Sequence, residues 1–160
     1  MESSALVSQF ELLLPLATGW AAEQEQRILR DGVPLSDCEI SDARAVGVKE
    51  PERVRLLPVE SIPAPTHPVL KAACTATNFV PAAPCGLTLF YGVFVRSDHW
   101  RDRALIVHEL VHTAQYERLG GIEPFLRQYL LECATVGYTR SSMESEAISG
   151  ATRLCEAPAG

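Results

Sequence analysis

The sequence has no segment that could act as a membrane anchor or a secretory signal. Its apolar run at residues 12–16 is interrupted by Pro15 and follows Glu11, whereas a membrane-spanning helix needs about 20 apolar residues. No positively charged segment precedes that run, as a signal peptide would require. These absences predict a chain that does not span a membrane and that resides in the cytoplasm.

Positive charge is also scarce, because 14 Lys and Arg residues face 20 Asp and Glu residues and leave a formal net charge of -6. A nucleic-acid partner would require a basic face that binds phosphates, so this balance predicts no nucleic-acid binding. The five cysteines are odd in number and form no CxxC pair. They predict reduced and mostly buried thiols, with a Cys74–Cys85 disulfide as the less favoured alternative.

The length and composition of the chain suit a single domain that spans residues 1–160. The sequence is 47% hydrophobic and 21% charged, which is ordinary globular usage and allows a buried core. Within this domain, residues 1–86 are predicted to hold N-terminal helices and a proline-rich connection. Residues 87–155 are predicted to hold a strand followed by helices.

Periodicity and turn residues predict the elements of the N-terminal part. In chain order they are helices at about 5–14 and 16–30, an irregular polar segment at 31–51, a short strand at 54–57 and a proline-rich surface connection at 58–85. Pro15 separates the two helices and is predicted to break or kink the pair, because proline lacks the backbone N–H that a helix interior needs.

The second part of the chain begins with its best strand, from Leu87 to Arg96. One face of this strand carries Leu87, Leu89, Tyr91, Val93 and Val95, and the residues between them lie on the other face. Three helices are predicted to follow, at about 103–119, 122–138 and 142–155. Gly120 ends the first of them, because glycine tolerates the left-handed conformation of a helix C-cap. Together with the N-terminal helices, these elements predict an α+β fold.

The first of these three helices carries His108-Glu109-Leu110-Val111-His112, an HExxH motif. Residues four apart lie on one face of a helix, so both imidazoles can reach one metal ion, and imidazole nitrogen is a common ligand of zinc. Glu109 can contact a water molecule on that ion rather than the ion itself. Zinc lowers the pKa of such a water to about 7, so Glu109 can take its proton and act as the catalytic base.

The motif is specific, but it needs a third protein ligand. With only four histidines in the chain, HExxH would arise by chance in roughly one sequence in a hundred of this composition. Catalytic zinc usually has three protein ligands, and we choose Glu144, ahead of Glu146 and, more distantly, Glu132. Glu144 also ends an S-x-x-E capping box, in which it would only accept a backbone N–H. The remaining histidines, His67 and His99, are expected at the surface.

These residues resemble the gluzincin group of zincin metallopeptidases, in which a glutamate on a later helix, often within E-x-x-A, completes the HExxH site. Glu144-Ser145-Glu146-Ala147 fits that form, and the resemblance covers about residues 87–150. It implies a zincin-like α+β fold, with a small, mainly antiparallel sheet packed on the HExxH helix and a C-terminal helical half. It also implies a Zn2+ cofactor, held by the two motif histidines and Glu144, and hydrolysis of a peptide or protein substrate.

The resemblance implies further features around the ion. The strand before the metal helix is expected to be an edge strand that pairs with extended substrate, and Gly92 would let a substrate backbone approach closely. A tyrosine is expected to stabilise the oxyanion; we choose Tyr138 as this catalytic residue, with Tyr116 as the alternative. Several gluzincins carry an acidic residue after the alanine that supports a metal-bound histidine, and this sequence has Ile148 there.

The alternative function is a non-catalytic, zincin-like binding module whose metal site is structural or lost. A structural zinc site is usually closed by four protein ligands, often cysteines, and no cysteine stands at ligand spacing from the HExxH motif. Glu109 would have no structural purpose between two ligands. Both features favour a zinc-dependent hydrolase, and the resemblance makes a metallopeptidase the first hypothesis.

Overall fold

The computed structural model describes residues 2–77, 84–136 and 140–156. The helices are α1 (Glu2–Asp31), α2 (Asp37–Ala45), α3 (Pro68–Thr77), α4 (Arg103–Leu119), α5 (Ile122–Val136) and α6 (Ser142–Cys155). The strands are β1 (Val33–Pro34), β2 (Arg55–Val59), β3 (Gly86–Leu89) and β4 (Gly92–Arg96). The predicted α+β class is therefore confirmed.

The four strands form one mixed sheet in the order β1-β2-β4-β3. The outer pairs, β1 with β2 and β3 with β4, are antiparallel, but the central pair, β2 with β4, is parallel and sets Leu56 opposite Val93. The expectation of a mainly antiparallel sheet therefore holds for two of the three strand pairs, and the parallel central pair makes the sheet mixed. A parallel pair needs a long crossover, and the chain between β2 and β3, which includes α3, supplies it.

The predicted single strand at 87–96 is a hairpin, in which a two-residue turn joins β3 to β4. Phe90 in this turn has a φ of 61°, in the left-handed region that tight hairpin turns use. Thr88 pairs with Val93, so the two side chains share one face of the sheet, whereas a continuous strand would place them on opposite faces. The turn thereby directs Thr88 towards α4.

Both faces of the sheet are buried against helices. The face towards α2 and α4 forms one core, which includes Leu56, Val93, Val95, Ile106 and Leu110. The opposite face packs on α1 through a second core, which includes Ala21, Ile28, Leu89 and Phe94. α5 packs beside α1, and α6 packs along α4. The helix with the HExxH motif therefore lies between the sheet and α6.

α1 runs through Pro15 without the predicted break. Leu14, Ala21 and Ile28 are all buried and lie seven residues apart, so one stripe of the helix faces the protein on both sides of the proline. An internal proline costs about 3 kcal/mol in a helix. We attribute the continuity of α1 to the packing of this stripe, which the residues next to Pro15 do not reveal.

Two helices, α2 and α3, lie in segments that the sequence predicts to be irregular. Ser36 and Glu39 form a complete capping box at the start of α2, in which each side chain accepts the backbone N–H of the other residue. α3 begins at Pro68, since proline is tolerated at the first helical position. Local residues therefore mark the start of both helices. The segments were nevertheless predicted to be irregular, because the first is polar and the second contains repeated prolines.

The helices around the motif follow the prediction closely. α4 and α6 have the predicted bounds; Asp102 caps α4 by accepting the Leu105 N–H, and Gly120 ends it with a φ of 103°. α5 begins at Ile122 as predicted and is described as far as Val136, so its predicted end lies outside the described residues. Within the described ranges, no helix is long and apolar enough to cross a membrane.

α6 approaches α4 closely at Gly150, where an added Cβ would lie 2.9 Å from Cγ2 of Val111. We expect Gly150→Ala to push the helices apart and to lower the free energy of unfolding by about 1–3 kcal/mol, the usual cost of overpacking. Denaturant titration of the metal-free protein measures this change, and Val111→Ala added to the variant is expected to restore stability.

Gly19→Ala in α1 is the matched control for this prediction. No heavy atom lies within 4 Å of the Cβ position at Gly19, so alanine there meets open space and improves helix propensity by about 0.8–1.0 kcal/mol. Equal stability of the Gly19→Ala and Gly150→Ala proteins would show that the contact between α4 and α6 is not as tight as described.

Candidate metal centre

Two helices deliver the predicted metal ligands to one place. His108 and His112 lie one turn apart on α4, and Glu144 lies in the first turn of α6. Ser141 starts α6 by accepting the Glu144 N–H at 3.5 Å. The Glu144 carboxylate contacts the two imidazoles. The capping-box alternative therefore holds for the Glu144 backbone N–H, which bonds to Ser141, but not for the Glu144 side chain.

The Glu144 carboxylate contacts both imidazoles of the motif. Its Oε2 lies 3.2 Å from Nε2 of His108, and its Oε1 lies 3.1 Å from Nε2 of His112. The ligand atoms of the three residues lie within 4.8 Å of one another, so this group could hold a metal ion. Two imidazole nitrogens and a carboxylate oxygen are a donor set that suits divalent transition metals. We call these three residues the ligand triad.

The other carboxylates considered as ligands have different partners. Glu146, two residues after Glu144, accepts hydrogen bonds from the guanidinium of Arg118 and, at 3.3 Å, from the Gln115 amide. Residues two apart on a helix differ in direction by about 200°, which explains why only one of the two glutamates reaches the triad. Glu132 accepts the Ser142 N–H at 2.9 Å and so supports the start of α6.

The remaining histidines, His67 and His99, do not belong to the triad. His67 is exposed and accepts the Val69 N–H through Nδ1 near the start of α3. His99 is partly exposed, and its ring nitrogens lie 3.7–3.8 Å from carboxylate oxygens of Asp98 and Asp102. Their expected position near the surface is confirmed for His67 and holds partly for His99.

Opposite charges face each other within the triad. Burial by itself would raise the pKa of the Glu144 carboxyl, but hydrogen bonds from His108 and His112 outweigh burial and hold this pKa below its usual range. Burial would likewise lower the pKa of His112, yet its hydrogen bond to Glu144 and the negative charge of Glu109 raise it. The buried carboxylates therefore favour a positive charge beside them, and a divalent cation would meet the same attraction.

A hydrogen-bond chain determines which nitrogen of His112 faces the triad. The Gln115 amide nitrogen donates to the carbonyl of Met143 at 3.0 Å, so its oxygen is the atom that lies 2.8 Å from Nδ1 of His112. That oxygen can only accept, so Nδ1 carries a proton. Nε2 carries a second proton when it donates to Glu144, and loss of that proton would leave the Nε2 lone pair for a metal.

Gln115 therefore supports His112 in the way that the resemblance would assign to an acidic residue at Ile148. Ile148 itself is 57% exposed on α6 and cannot play this part. The signal for Gln115 was available in the sequence, because a residue three positions after His112 lies on the same face of α4.

Glu109 lies against β3, where its side chain contacts Thr88 and Gly86. The hydroxyl of Thr88 donates to Oε2 of Glu109 at 2.5 Å, and both residues are buried. At Gly86, an added Cβ would lie only 2.9 Å from Oε1 of Glu109, so a side chain there would collide with the carboxylate. The contact of Thr88 with Glu109 was not predicted, because residues 87–96 were expected to form one strand.

Among the described residues, Tyr129 is the tyrosine whose hydroxyl reaches the triad. Tyr138, predicted to stabilise the oxyanion, lies outside the described residues. Tyr116 is fully buried, and its hydroxyl donates to the carbonyl of Thr88 at 3.0 Å. Tyr129 of α5 donates to Oε1 of Glu144 at 2.7 Å. Its position in the apolar stripe of α5 predicted packing alone, so no local signal marked it.

Gly92 does not open a path for substrate. An added Cβ there would lie 2.9 Å from Cβ of Ile28, so glycine at this position admits α1 to the face of the sheet. β4 lies between β2 and β3 and is therefore not an edge strand. In the described part of the chain β3 pairs with another strand on one side only. The edge strand expected before the HExxH helix is therefore β3, the first half of the predicted strand.

Comparisons with protein-family models, with curated proteins and with solved structures find no match to this chain. The likeness to gluzincins therefore rests on the residues of the ligand triad and on Glu109.

Proposed function

We propose that this protein is a zinc-dependent hydrolase, a metallopeptidase that cleaves peptide bonds with an activated water. The observation that carries the proposal is the ligand triad, in which three side chains from two helices bring their ligand atoms within 4.8 Å. Two histidines and a glutamate are a known ligand set of catalytic zinc, and they leave a fourth position for water or substrate. A sheet packed on the HExxH helix, with the glutamate on a later helix, supports a zincin-like fold.

Zinc in such a site lowers the pKa of bound water and polarises the carbonyl that the water attacks. The chain's own part begins with Glu109, which acts as general base and takes a proton from the attacking water. Thr88 anchors Oε2 of Glu109, which leaves Oε1 as the oxygen that receives the proton. Gln115 holds His112, so that this ligand keeps one orientation throughout.

Two features support a peptide as the substrate. His108 is the most accessible member of the triad, with 21% of its side chain exposed against 7% for His112 and 5% for Glu144, so the site opens on the side of His108. In the described part of the chain β3 pairs with another strand on one side only, and its Thr88 adjoins Glu109; the Thr88 carbonyl itself already accepts the Tyr116 hydroxyl. An extended peptide that added to this edge would bring its backbone beside the base.

A non-catalytic binding module with a structural metal is less well supported. Structural zinc sites are usually closed by four protein ligands, whereas the triad offers three and contains no cysteine. Glu109 is a buried carboxylate that belongs to no ion pair among those described and is anchored by a single hydroxyl. A structural site has no use for such a residue, whereas hydrolysis requires it.

The test measures metal content and peptide hydrolysis together. Purified protein is expected to contain about one zinc ion per chain, given one triad, and to cleave members of a mixed peptide library. Treatment with a chelator is expected to abolish cleavage and added zinc to restore it. His112→Ala is expected to lose both metal and activity.

Two results would contradict this proposal. If the wild-type protein takes up no zinc, the ligand triad is not a zinc site. A protein that binds zinc but cleaves no peptide in the library, under conditions where the triad is loaded, would favour the binding module instead.

A further inference from the structure

We propose that Tyr129 is a positioning residue that occupies one oxygen of Glu144, so that Glu144 binds the metal ion through its other oxygen alone. The inference rests on the zinc site of the proposed function, but it does not depend on any catalytic step. Tyr129 lies outside both the HExxH and the E-x-x-A segments, and it reaches the site from a third helix, α5.

The chain reversal after α4 brings Tyr129 to the triad. Gly120 and Gly121 have φ values of 103° and 135°, which glycine adopts without strain, and they turn the chain back into α5. The ring of Tyr129 then stands edge-on to His112, with centroids 6.2 Å apart and an interplanar angle of 85°. The phenol thus adjoins two members of the triad, since its hydroxyl also reaches Glu144.

An aromatic stack holds the ring of Tyr129 in place. Phe125 stacks on Tyr116 with centroids 3.6 Å apart and on Tyr129 with centroids 5.5 Å apart, at interplanar angles of 10° and 14°. Tyr116 and Phe125 are buried, so the base of the stack lies in the core. Phe125 on one face of Tyr129 and the edge contact with His112 restrict its rotamers, and the hydroxyl of Tyr129 is therefore placed before any ion binds.

The hydroxyl of Tyr129 distinguishes the two oxygens of Glu144. It donates to Oε1 at 2.7 Å, the length of a strong hydrogen bond to a carboxylate. A carboxylate oxygen has two acceptor positions, so this bond takes one of those on Oε1 and draws electron density from it. Each oxygen lies beside one imidazole, Oε1 beside His112 and Oε2 beside His108, so the bond from Tyr129 is what distinguishes them and leaves Oε2 as the stronger ligand atom.

Binding through one oxygen has a consequence for the proposed site. Two imidazoles and one carboxylate oxygen supply three ligand atoms, and a tetrahedral ion then keeps its fourth position open. A carboxylate that binds through both oxygens would supply a further ligand atom and crowd that position. Tyr129 therefore keeps a coordination position available, while it also fixes the orientation of Glu144.

The test uses Co2+ in place of zinc, because the visible absorption of Co2+ weakens as its coordination number rises from four. Tyr129→Phe removes the hydroxyl but keeps the ring and the stack. We expect the Co2+-loaded variant to absorb several-fold less strongly than the loaded wild type, because both oxygens of Glu144 can then bind the ion. Unchanged absorption in Tyr129→Phe would overturn the inference.

Tyr116→Phe is the matched control. It removes a tyrosine hydroxyl from the same aromatic stack, but this hydroxyl bonds to the carbonyl of Thr88 rather than to the triad. The spectrum of Co2+-loaded Tyr116→Phe is expected to equal that of wild type. An equal change in both variants would mean that general loosening of the stack, rather than the bond to Glu144, affects the ion.

The failure of this inference is distinguishable from the failure of the proposed function. If wild-type protein takes up neither zinc nor Co2+, the metal site is wrong and the role of Tyr129 falls with it. If wild type takes up Co2+ and the spectrum of Tyr129→Phe is unchanged, only the role of Tyr129 is wrong, and the zinc site stands.

Discussion

Replacing Glu144 by glutamine is expected to weaken zinc binding by more than about 100-fold in Kd. Loss of a residue that merely supports a ligand costs about 10–100-fold in metal affinity, and loss of the charge on a ligand itself is expected to cost more. Glutamine keeps the shape of Glu144 and an acceptor oxygen for Tyr129, so the variant is expected to fold. Competition with a chromophoric chelator measures Kd, and circular dichroism verifies folding.

Glu146→Gln is the control for the ligand, because it makes the same change on the same helix. Glu146 accepts hydrogen bonds from Arg118 and, at 3.3 Å, from the Gln115 amide; the glutamine oxygen can still accept both, so zinc affinity is expected to stay close to the wild-type value. Equal Kd values for the two glutamine variants would mean that Glu144 is not the third ligand.

Glu109→Gln is expected to keep the metal and lose turnover. The amide cannot take a proton from water, and general-base catalysis contributes about 10²–10⁴-fold to a rate. Thr88 can still donate to the amide oxygen, so the side chain keeps its seat on β3 and the neighbouring ligands stay in place. The measurement pairs zinc content with the initial rate on a peptide that the wild type cleaves.

Glu117→Gln provides the matched control for the base. Glu117 lies on the same helix, α4, and its carboxylate accepts the backbone N–H groups of Lys49 and Glu50. This variant is expected to lose some stability while its turnover stays close to that of wild type. If Glu109→Gln hydrolysed peptide as fast as Glu117→Gln, another group would have to be the base.

The helix α4 and the third member of the ligand triad, Glu144, were predictable because their signals are local or nearly so. His108 and His112 share a face of α4 for any helix that contains them, since the helix repeats every 3.6 residues. Gly120 marks the helix end through its own backbone freedom. Glu144 required only that one more helix intervene, so that α6 could return to α4.

The hairpin shows where local pattern fails. Every second residue from Leu87 to Val95 is apolar, so one strand and two strands joined by a tight turn look alike. The turn at Phe90 changes which residues share a face, and so it changes the partner of Glu109. The parallel pairing of β2 with β4 was equally hidden, because strand order depends on the path of the chain between the strands.

The residues that support the ligands were the least predictable. Tyr129 is one of several apolar or aromatic positions in the stripe of α5, and only the packing of α5 against α4 and α6 turns its hydroxyl towards Glu144. Gln115 is marked by helix spacing, but its role depends on the Met143 carbonyl of another helix, which orients its amide. Such contacts join residues of different helices, which the periodicity of any one helix cannot predict.

By itself, the sequence determined that His108, Glu109 and His112 lie within about one turn of each other on α4, because helix geometry relates residues up to four positions apart. Only the tertiary structure decided what surrounds them. Thr88 of β3 bonds to Glu109, Glu144 contacts both imidazoles, and Tyr129 donates a hydrogen bond to Glu144. These contacts depend on how separate helices and strands pack, and packing is a property of the whole chain rather than of any segment.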